Sequence, residues 1–304
     1  MNRPQAKPRA LFVGLCTVDV IQLVNHVPIA NEKITALRQT IAAGGPAANA
    51  AATCSHLGGN ATLLTGIGSH PLTADIHSDL GDLGVRIVDL DENWTGPPTV
   101  SSIMVTAGTG ERAVVSTNAV GRILVAPDYL AALVEDADVV QLDGHHIDLA
   151  RAAAKHATRA GRITVLDGGS WKAGTTELLP LLDVAVCSAD FHPPGTSTPQ
   201  ETLEFLGRSG VRFAAVTRGP NPIQWQGPKS SGEIDTLSGE IADTLGAGDV
   251  FHGALTYVLA SDRKLTTDSF IEALSLAAGV ATTSCTSFGT RTWMLTGEDP
   301  AMHA

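Results

Sequence analysis

The sequence is poor in cysteine, in aromatic residues and in long apolar runs. Its four cysteines stand far apart and form no CxxC pair, so their spacing suggests neither a zinc site nor a disulfide framework. No apolar run approaches the roughly 18 residues of a membrane-spanning helix. The first ten residues hold two prolines and no apolar core, unlike a signal peptide. We therefore expect a cytoplasmic protein with no membrane partner.

Basic residues are also scarce. The chain has 20 lysine and arginine residues against 31 aspartate and glutamate residues, which gives a formal net charge of −11. That charge repels phosphate backbones and anionic lipid, so a nucleic-acid partner is not expected. The chain does have enough apolar sequence, 43% of 304 residues, to bury one large core. A small molecule is the default partner.

Short apolar runs alternate with helix-period segments along most of the chain. The candidate strands are residues 10–16, 61–64, 139–142, 163–166, 184–187 and 213–216. This alternation predicts an α/β fold, with a mainly parallel sheet covered by helices on both faces. Since no internal repeat or linker is visible, we expect residues 1–304 to form a single domain, with flexible tails at 1–8 and 297–304.

Two stretches interrupt this alternation. Residues 19–42 and 99–117 look like antiparallel strands, and the second reads SSIMV, then the turn AGTGE, then RAVVS. They could form a small second sheet that acts as a lid, closing over a bound ligand and excluding water. The pattern fits edge strands of the main sheet equally well, so both interpretations stay open at this point.

The strongest local signal is the segment Asp243-Thr-Leu-Gly-Ala-Gly-Asp249, which runs into an apolar helix-like stretch. Gly246 and Gly248 allow successive backbone N–H groups to point at one spot, beside the positive end of the following helix. Such a nest suits a phosphoryl group. Asp249, in the first turn, could accept a proton from a hydroxyl that attacks phosphorus. An ordinary turn followed by a helix-start carboxylate would explain the same residues.

A second glycine-rich segment, Ala43-Gly-Gly-Pro-Ala-Ala-Asn49, runs into a helix of small residues. Gly44 and Gly45 would let a ligand approach the backbone closely, and Asn49 could both donate and accept hydrogen bonds. A tight turn before a closely packed helix is the simpler interpretation. No GxxxxGK[ST], GxSxG or HExxH pattern occurs, which excludes a P-loop and gives no sign of a common hydrolase or zinc-protease site.

Taken together, in this order and spacing, GGPAAN at 44–49 and DTLGAGDVFHGAL from residue 243 resemble the two signature motifs of the PfkB, or ribokinase-type, carbohydrate kinases. The likeness covers nearly the whole chain. It implies a ribokinase-like three-layer α/β/α sandwich with a small β-sheet lid. It also implies ATP-dependent transfer of a phosphoryl group to a sugar, with Mg²⁺ and in some members K⁺ as cofactors, by a homodimer joined through the lid.

The same resemblance implies a role for individual residues. Asp249 would be the catalytic base, and Gly246, Ala247 and Gly248 would form the anion hole. The residues expected to hold the sugar are Asp19, Gly44, Gly45 and Asn49, those expected against the nucleotide are Thr217, Gly219, Ser188 and Thr244, and Asp243 would lie near a monovalent cation. One departure is visible: many members carry an NxxE motif where this chain has Ser188-Ala-Asp-Phe191, and Asp190 could compensate.

The sugar is less well specified. Segments such as GLCTVDVIQLV and GERAVV are similar to ketohexokinases and to bacterial kinases of fructose-like and sulfofructose substrates, which favours a ketohexose or a derivative. Lys33, at the start of a predicted lid strand, and Arg112, just after the lid turn, could face an anionic substituent, or could be ordinary surface charges. Two other functions stay open: an adenosine-like nucleoside kinase, although 4% aromatic residues offer little for base stacking, and a non-catalytic sugar sensor.

Overall fold

The computed structural model describes residues 6–236, 239 and 241–295. The strands are β1 (Arg9–Val13), β2 (Thr17–Val24), β3 (Arg38–Gly44), β4 (Asn60–Thr65), β5 (Arg86–Asp89), β6 (Val100–Thr106), β7 (Arg112–Ser116), β8 (Val139–Leu142), β9 (Ile163–Gly168), β10 (Val184–Ser188), β11 (Phe213–Arg218), β12 (Asn221–Gln226) and β13 (Ser231–Ile234). The helices are α1 (Pro46–His56), α2 (Thr73–Asp82), α3 (Leu130–Asp136), α4 (Ile147–Ala160), α5 (Thr175–Leu178), α6 (Pro199–Arg208), α7 (Ala247–Asp262) and α8 (Thr267–Ser284).

The large sheet has the order β13-β12-β11-β10-β9-β8-β1-β4-β5. Its pairings are parallel from β11 to β5, and β12 and β13 add an antiparallel edge. Alternate residues of a strand face opposite sides of the sheet. Phe12 therefore packs into one core with Leu255 of α7, while Leu11 packs into the other with Leu149 of α4 and Leu203 of α6. The predicted three-layer sandwich is confirmed.

The two interrupting stretches form a separate four-stranded sheet with the order β3-β2-β6-β7. The interpretation as edge strands of the main sheet was wrong. The stretch 19–42 is not continuous strand, since a loop separates β2 from β3, and the pairing of β2 with β6 is parallel although antiparallel strands were expected. Ile21, Ile103 and Phe288 form a small buried cluster on one face of this sheet. We call these four strands the lid sheet.

All six candidate strands lie in the large sheet, with bounds that differ by a few residues. The largest difference is at β1, which ends at Val13 although the prediction ran to residue 16. The chain turns there because the backbone N–H of Leu15 donates to the Asp143 carboxylate (2.7 Å) and the N–H of Gly14 donates to the Leu64 carbonyl (3.2 Å). The tail at 297–304 lies outside the described residues. So does most of the tail at 1–8, of which only 6–8 are described, and there the Pro8 carbonyl accepts a hydrogen bond from Asn60.

Close contact between α1 and α7 brings the two glycine-rich segments together. α1 begins at Pro46, a residue suited to the first helical position, and continues as a run of small side chains. α7 meets this run with Gly253, where a Cβ atom would overlap the Ala50 carbonyl and the Thr53 side chain. Only glycine allows that approach, and it places the first turns of both helices side by side.

In the part of the chain described, no helix is long and apolar enough to cross a membrane.

Candidate active site

The first turns of α1 and α7 meet at the side chains of Asn49 and Asp249. The Asn49 amide nitrogen donates to Asp249 Oδ2 at 2.8 Å, across 200 residues of sequence. Gly246, immediately before α7, has a φ of +73°, which L side chains rarely adopt, and a Cβ there would lie 3.1 Å from a Thr290 methyl group. The glycine therefore permits both the turn into α7 and the close approach of neighbouring side chains to it.

Asp249 has an unusually high pKa for a carboxyl group. Burial, with the nearby charge of Asp167 as a second cause, raises the pKa of Asp249 to about 7, while the hydrogen bond from Asn49 and the charge of His252 lower it. At neutral pH the carboxyl group is therefore divided between its ionised and protonated forms. A general base works best when its pKa lies near the working pH, so Asp249 is suited to accept a proton there.

The start of α7 offers backbone donors to an anion. The N–H groups in the first turn of an α-helix have no partner inside the helix. In α7 this turn contains Ala247, whose N–H lies at 3.4 Å from the Thr244 carbonyl, and Gly248, beside Asp249, and the helix dipole adds positive potential at the same place. Gly248 is exposed, so an incoming anion has access to it. The three predicted anion-hole residues thus lie at one helix terminus, next to the carboxyl group expected to be the base.

The residues predicted to hold the sugar gather on the lid side of Asp249. Asp19 lies on β2 and Gly44 ends β3, and a Cβ at Gly44 would overlap the Asp19 carboxylate. Asp19 accepts a hydrogen bond from the Thr17 hydroxyl (2.6 Å), and its burial raises its pKa. Gly45 has a φ of +90° and lies against the Leu15 carbonyl, which again excludes a side chain. Together with Asn49 these residues form one polar patch under the lid sheet.

A cavity of about 430 Å³ opens on the other side of the anion hole. All four residues predicted to contact the nucleotide line it, namely Ser188, Thr217, Gly219 and Thr244. Apolar side chains, including Ile223 and Phe251, form much of its wall. Ala278 of α8 also lines this cavity. The cavity and the polar patch therefore flank Asp249 and the start of α7 from two sides.

Of the two expectations about basic residues, the placement of Lys33 was wrong and the placement of Arg112 after the lid turn was right. Lys33 does not begin a lid strand: it is exposed in the loop before β3, which starts five residues later at Arg38. Arg112 does begin β7, but it lines the 430 Å³ cavity, and its Nη1 donates to the Thr244 hydroxyl at 3.2 Å. The β6–β7 turn brings Arg112 to this position because the Gly110 carbonyl accepts a hydrogen bond from the Thr244 hydroxyl. Its guanidinium therefore lies against the cavity that the residues predicted to contact the nucleotide also line.

The expected cation residue, Asp243, is occupied by backbone contacts. Its Oδ1 accepts a hydrogen bond from Leu245 N–H (2.8 Å) and its Oδ2 accepts one from Gly289 N–H (2.9 Å). Its burial raises the pKa of this carboxyl group. Among the described residues no group of three or more histidine, cysteine, aspartate or glutamate side chains is placed to hold a metal ion. The role of Asp243 at a monovalent cation stays a prediction.

Sequence reasoning missed two residues of the site. Asp167, at the end of β9, is buried, and its Oδ2 accepts no hydrogen bond from the described residues, although His252 Nδ1 lies 3.5 Å away. A carboxylate directly after a predicted strand was a usable signal for it, whereas the proposed substitute, Asp190, lies exposed in a turn. Arg291, which contacts Asn49, had no such signal because the two residues are 242 positions apart.

Comparison with known proteins agrees with this geometry. The model of the pfkB family carbohydrate kinases matches residues 7–296. The chain is 26% identical over 244 residues to an ATP-dependent ribose-1-phosphate kinase of Halopiger xanaduensis, covering 80% of this chain and 82% of the relative. It is 25% identical over 294 residues to a ribokinase of Arabidopsis thaliana, with 90% and 75% coverage.

Solved structures show the same fold. A putative ribokinase from Agrobacterium tumefaciens superposes with a TM-score of 0.84 at 24% identity, covering 98% of this chain and 97% of that one. Because the family model spans almost the entire chain, both glycine-rich motifs and the lid sheet fall inside the match. The chain therefore belongs to the pfkB family of carbohydrate kinases, phosphotransferases whose acceptor is an alcohol group.

Proposed function

We propose that this chain transfers the γ-phosphoryl group of ATP to a hydroxyl of a small sugar, with Asp249 as the general base. One observation carries the proposal: a carboxyl group with a pKa of about 7 stands between a polar patch under the lid sheet and a helix terminus that opens on a cavity. Phosphoryl transfer needs an acceptor, a base and a phosphate site in that order, with the reacting groups held in line.

The two oxygens of Asp249 have different tasks in this proposal. Oδ2 accepts the hydrogen bond from Asn49, which fixes the plane of the carboxyl group. Oδ1, for which the described residues supply no donor, would accept the proton of the sugar hydroxyl as that hydroxyl attacks phosphorus. The N–H groups of Ala247 and Gly248 would stabilise the negative charge that develops on the transferring phosphoryl group.

The described residues also fit a Mg²⁺ ion brought in by ATP. Mg²⁺ keeps several waters and needs only one or two carboxylates besides the phosphate oxygens. Asp167 offers a buried carboxylate oxygen without a hydrogen-bond donor, close enough to Asp249 to influence its pKa. When bound, the ion would neutralise charge on the phosphates. We propose Asp167 for this contact, and Asp243 with Thr244 as the candidates for a K⁺ site.

The acceptor proposed from the sequence is a ketohexose or a derivative. The relatives named for ribose and ribose 1-phosphate add pentoses and phosphorylated pentoses to the sugars that must be tested. A nucleoside kinase would need a base-stacking surface, and none of the residues that form the polar patch, Asp19, Gly44, Gly45 and Asn49, is aromatic. A non-catalytic sensor would not need the raised pKa of Asp249.

Coupled ADP release tests the proposal. The assay contains ATP and Mg²⁺, with and without K⁺, and each of fructose, other ketohexoses, ribose, ribose 1-phosphate, anionic sugar derivatives and adenosine. Turnover on one sugar, reduced by about 100-fold or more in Asp249→Asn, is the expected result. Turnover on adenosine alone would favour the nucleoside kinase. Sugar-induced thermal stabilisation without ADP release on any substrate would favour the sensor.

We also propose that two copies associate through the lid sheet. Its edge strands carry large aliphatic side chains that are exposed in a single chain: Ile41 on β3 is 50% exposed, and Val114 and Val115 on β7 are 49% and 71% exposed. Light scattering should find a dimer that Val115→Glu dissociates. A wild-type monomer at micromolar concentration would contradict this proposal.

A further inference from the structure

Arg291 connects three separate segments around the candidate base. Its Nε donates to Asp79 Oδ2 on α2 at 3.2 Å, its Nη2 donates to the Ala43 carbonyl on β3 at 2.8 Å, and its Nη1 donates to Asn49 Oδ1 on α1 at 2.9 Å. The side chain is only 16% exposed. A planar guanidinium with five N–H groups can make such a set of bonds at once, whereas a lysine cannot.

These contacts fix which way the Asn49 amide points. With Oδ1 accepting from Arg291, the amide nitrogen faces Asp249 and donates to its Oδ2. Rotating the amide by half a turn would set its N–H₂ against the guanidinium and its oxygen against a carboxylate. Both contacts would then be repulsive. Arg291 thus leaves only one amide orientation with two favourable hydrogen bonds, and it is the orientation in which Asp249 receives a donor.

We propose that Arg291 is a positioning residue, which acts through Asn49 to hold the Asp249 carboxyl group in the orientation and protonation state of a general base. Its catalytic consequence rests on the proposed function, but the contacts themselves do not. Asp79 takes part by holding the guanidinium and by accepting a hydrogen bond from Ala43 N–H at 3.0 Å. Arg291 and Asp79 therefore form hydrogen bonds with both backbone groups of Ala43, near the end of the lid strand β3.

Of the other groups that act on Asp249, Asp19 is also influenced by the charge of Arg291, which lowers the pKa of Asp19. Asp167, at the end of β9, and Asp19, on β2, oppose ionisation of Asp249 by their charge, while His252, in α7 itself, favours it. Arg291 faces Asp79 and lies near Asp19 and the buried Cys16 thiol. Among the described residues, the hydrogen bond from Asn49 is the one contact that favours the ionised form of Asp249 and is also tied to Arg291. Loss of Arg291 would act through Asp19 in the opposite direction, by raising the pKa of Asp19 and so lowering that of Asp249, and the sign of the shift therefore separates the two routes.

The direct test is a titration of Asp249 in the protein without substrate. Aspartate labelled with ¹³C at the side-chain carboxyl gives one NMR signal per residue, and the Asp249 signal is identified by its loss in Asp249→Asn. Titrations compare the wild type with Arg291→Met, Asn49→Ala and the double variant. Arg159→Met, on the exposed end of α4, is the matched control. Circular dichroism checks the fold, and Arg291→Lys is the second variant should Arg291→Met not fold.

We expect Arg291→Met and Arg291→Lys each to raise the titration midpoint of Asp249 by about one pH unit. The reason is that the ionised carboxylate loses most of the stabilisation that one hydrogen bond to a charged acceptor provides. We expect Arg291→Met to add nothing in the Asn49→Ala background. An unchanged midpoint in both Arg291 variants, or the same shift with and without Asn49, would overturn the proposal. A merely structural role would lower the melting temperature without moving the midpoint.

Turnover provides the second measurement. If the wild type phosphorylates a sugar, its turnover should fall below a certain pH as Asp249 is protonated. In Arg291→Met that pH should rise by the same amount as the titration midpoint of Asp249. A wild type that is silent on every acceptor would refute the proposed function. It would leave the titration result, and with it the positioning role, intact.

Discussion

Replacing Asp249 with asparagine should lower activity and raise stability, and both effects should grow as pH rises through 7. The folded protein holds this carboxyl group with a pKa of about 7, well above the usual range of an aspartate. As a base it acts only when ionised, so wild-type turnover should fall about tenfold for each pH unit below 7 and level off above 8. Above pH 8, turnover by Asp249→Asn should be slower than that of the wild type by about 100-fold or more. Its turnover should show no change near pH 7 that reflects titration of a base.

The stability effect follows from the same pKa. A carboxyl group whose pKa is raised by folding contributes its stability below the unfolded pKa and loses it as pH rises through the folded pKa. Above pH 8 the wild type therefore holds a buried carboxylate at a cost of at most about 4 kcal/mol. Asparagine removes that cost and can still accept the hydrogen bond that Asn49 donates.

Thermal unfolding at pH 5 and at pH 8.5 measures this difference. The melting temperature of Asp249→Asn should exceed that of the wild type by several degrees at pH 8.5. The difference should shrink at pH 5, where residue 249 is neutral in both folded proteins. Equal gaps at both pH values, or a destabilised variant at pH 8.5, would refute the argument that burial sets the pKa. Turnover of the wild type that stays flat from pH 5 to 8 would refute the role of Asp249 as base.

Three further predictions use other parts of the site. Gly253→Val should destabilise the protein by about 3 kcal/mol in urea unfolding, since it forces α1 from α7, whereas Gly81→Ala, where a Cβ meets open space, should be neutral or slightly stabilising. Arg112→Ala should raise the KM for ATP several-fold and leave the KM for the sugar unchanged, and the reverse result would return Arg112 to the sugar side. Asp19→Ala should raise the KM for the sugar by tenfold or more, and an unchanged KM would remove Asp19 from the sugar site.

The sequence predicted the central strands because they are buried on both faces and therefore read as continuous apolar runs. It did not predict the strands at the ends of the sheet, β5, β12 and β13. Their sequences RIVD, NPIQWQ and SGEI are mixed, because strands at the edge of the sheet or next to it are partly exposed, and their burial is set by neighbours that the chain supplies elsewhere. The two stretches that interrupt the alternation do form a second sheet, but Lys33 was misplaced because its loop has no apolar periodicity to fix where β3 begins.

The residues of the candidate site also fall into those that the sequence predicted and those that it did not. Residues inside the two glycine-rich motifs could be named from the sequence, since local spacing fixes their position at a helix start. Arg291 could not be assigned a role, because it acts through a contact with a residue far away in sequence, whereas Asp167 was missed although its position directly after a predicted strand was a usable signal. The sequence identified Arg112 as a candidate site residue but did not indicate which way its side chain points. Its direction depends on a hydrogen bond between the lid turn and Thr244 that no local pattern encodes.

The charges at the site raise a last question, since a chain with a net charge of −11 has to bind a triphosphate beside several carboxyl groups. Burial raises the pKa of Asp19, Asp167 and Asp249 alike, so the site holds less negative charge than its composition implies. The start of α7 and Arg112 supply positive potential on the cavity side. The approach of phosphate would then favour protonated Asp249, and the hydrogen bond from Asn49 opposes that effect. Keeping that donor in place is therefore most valuable when the nucleotide is bound, which is the condition under which the base has to be ionised.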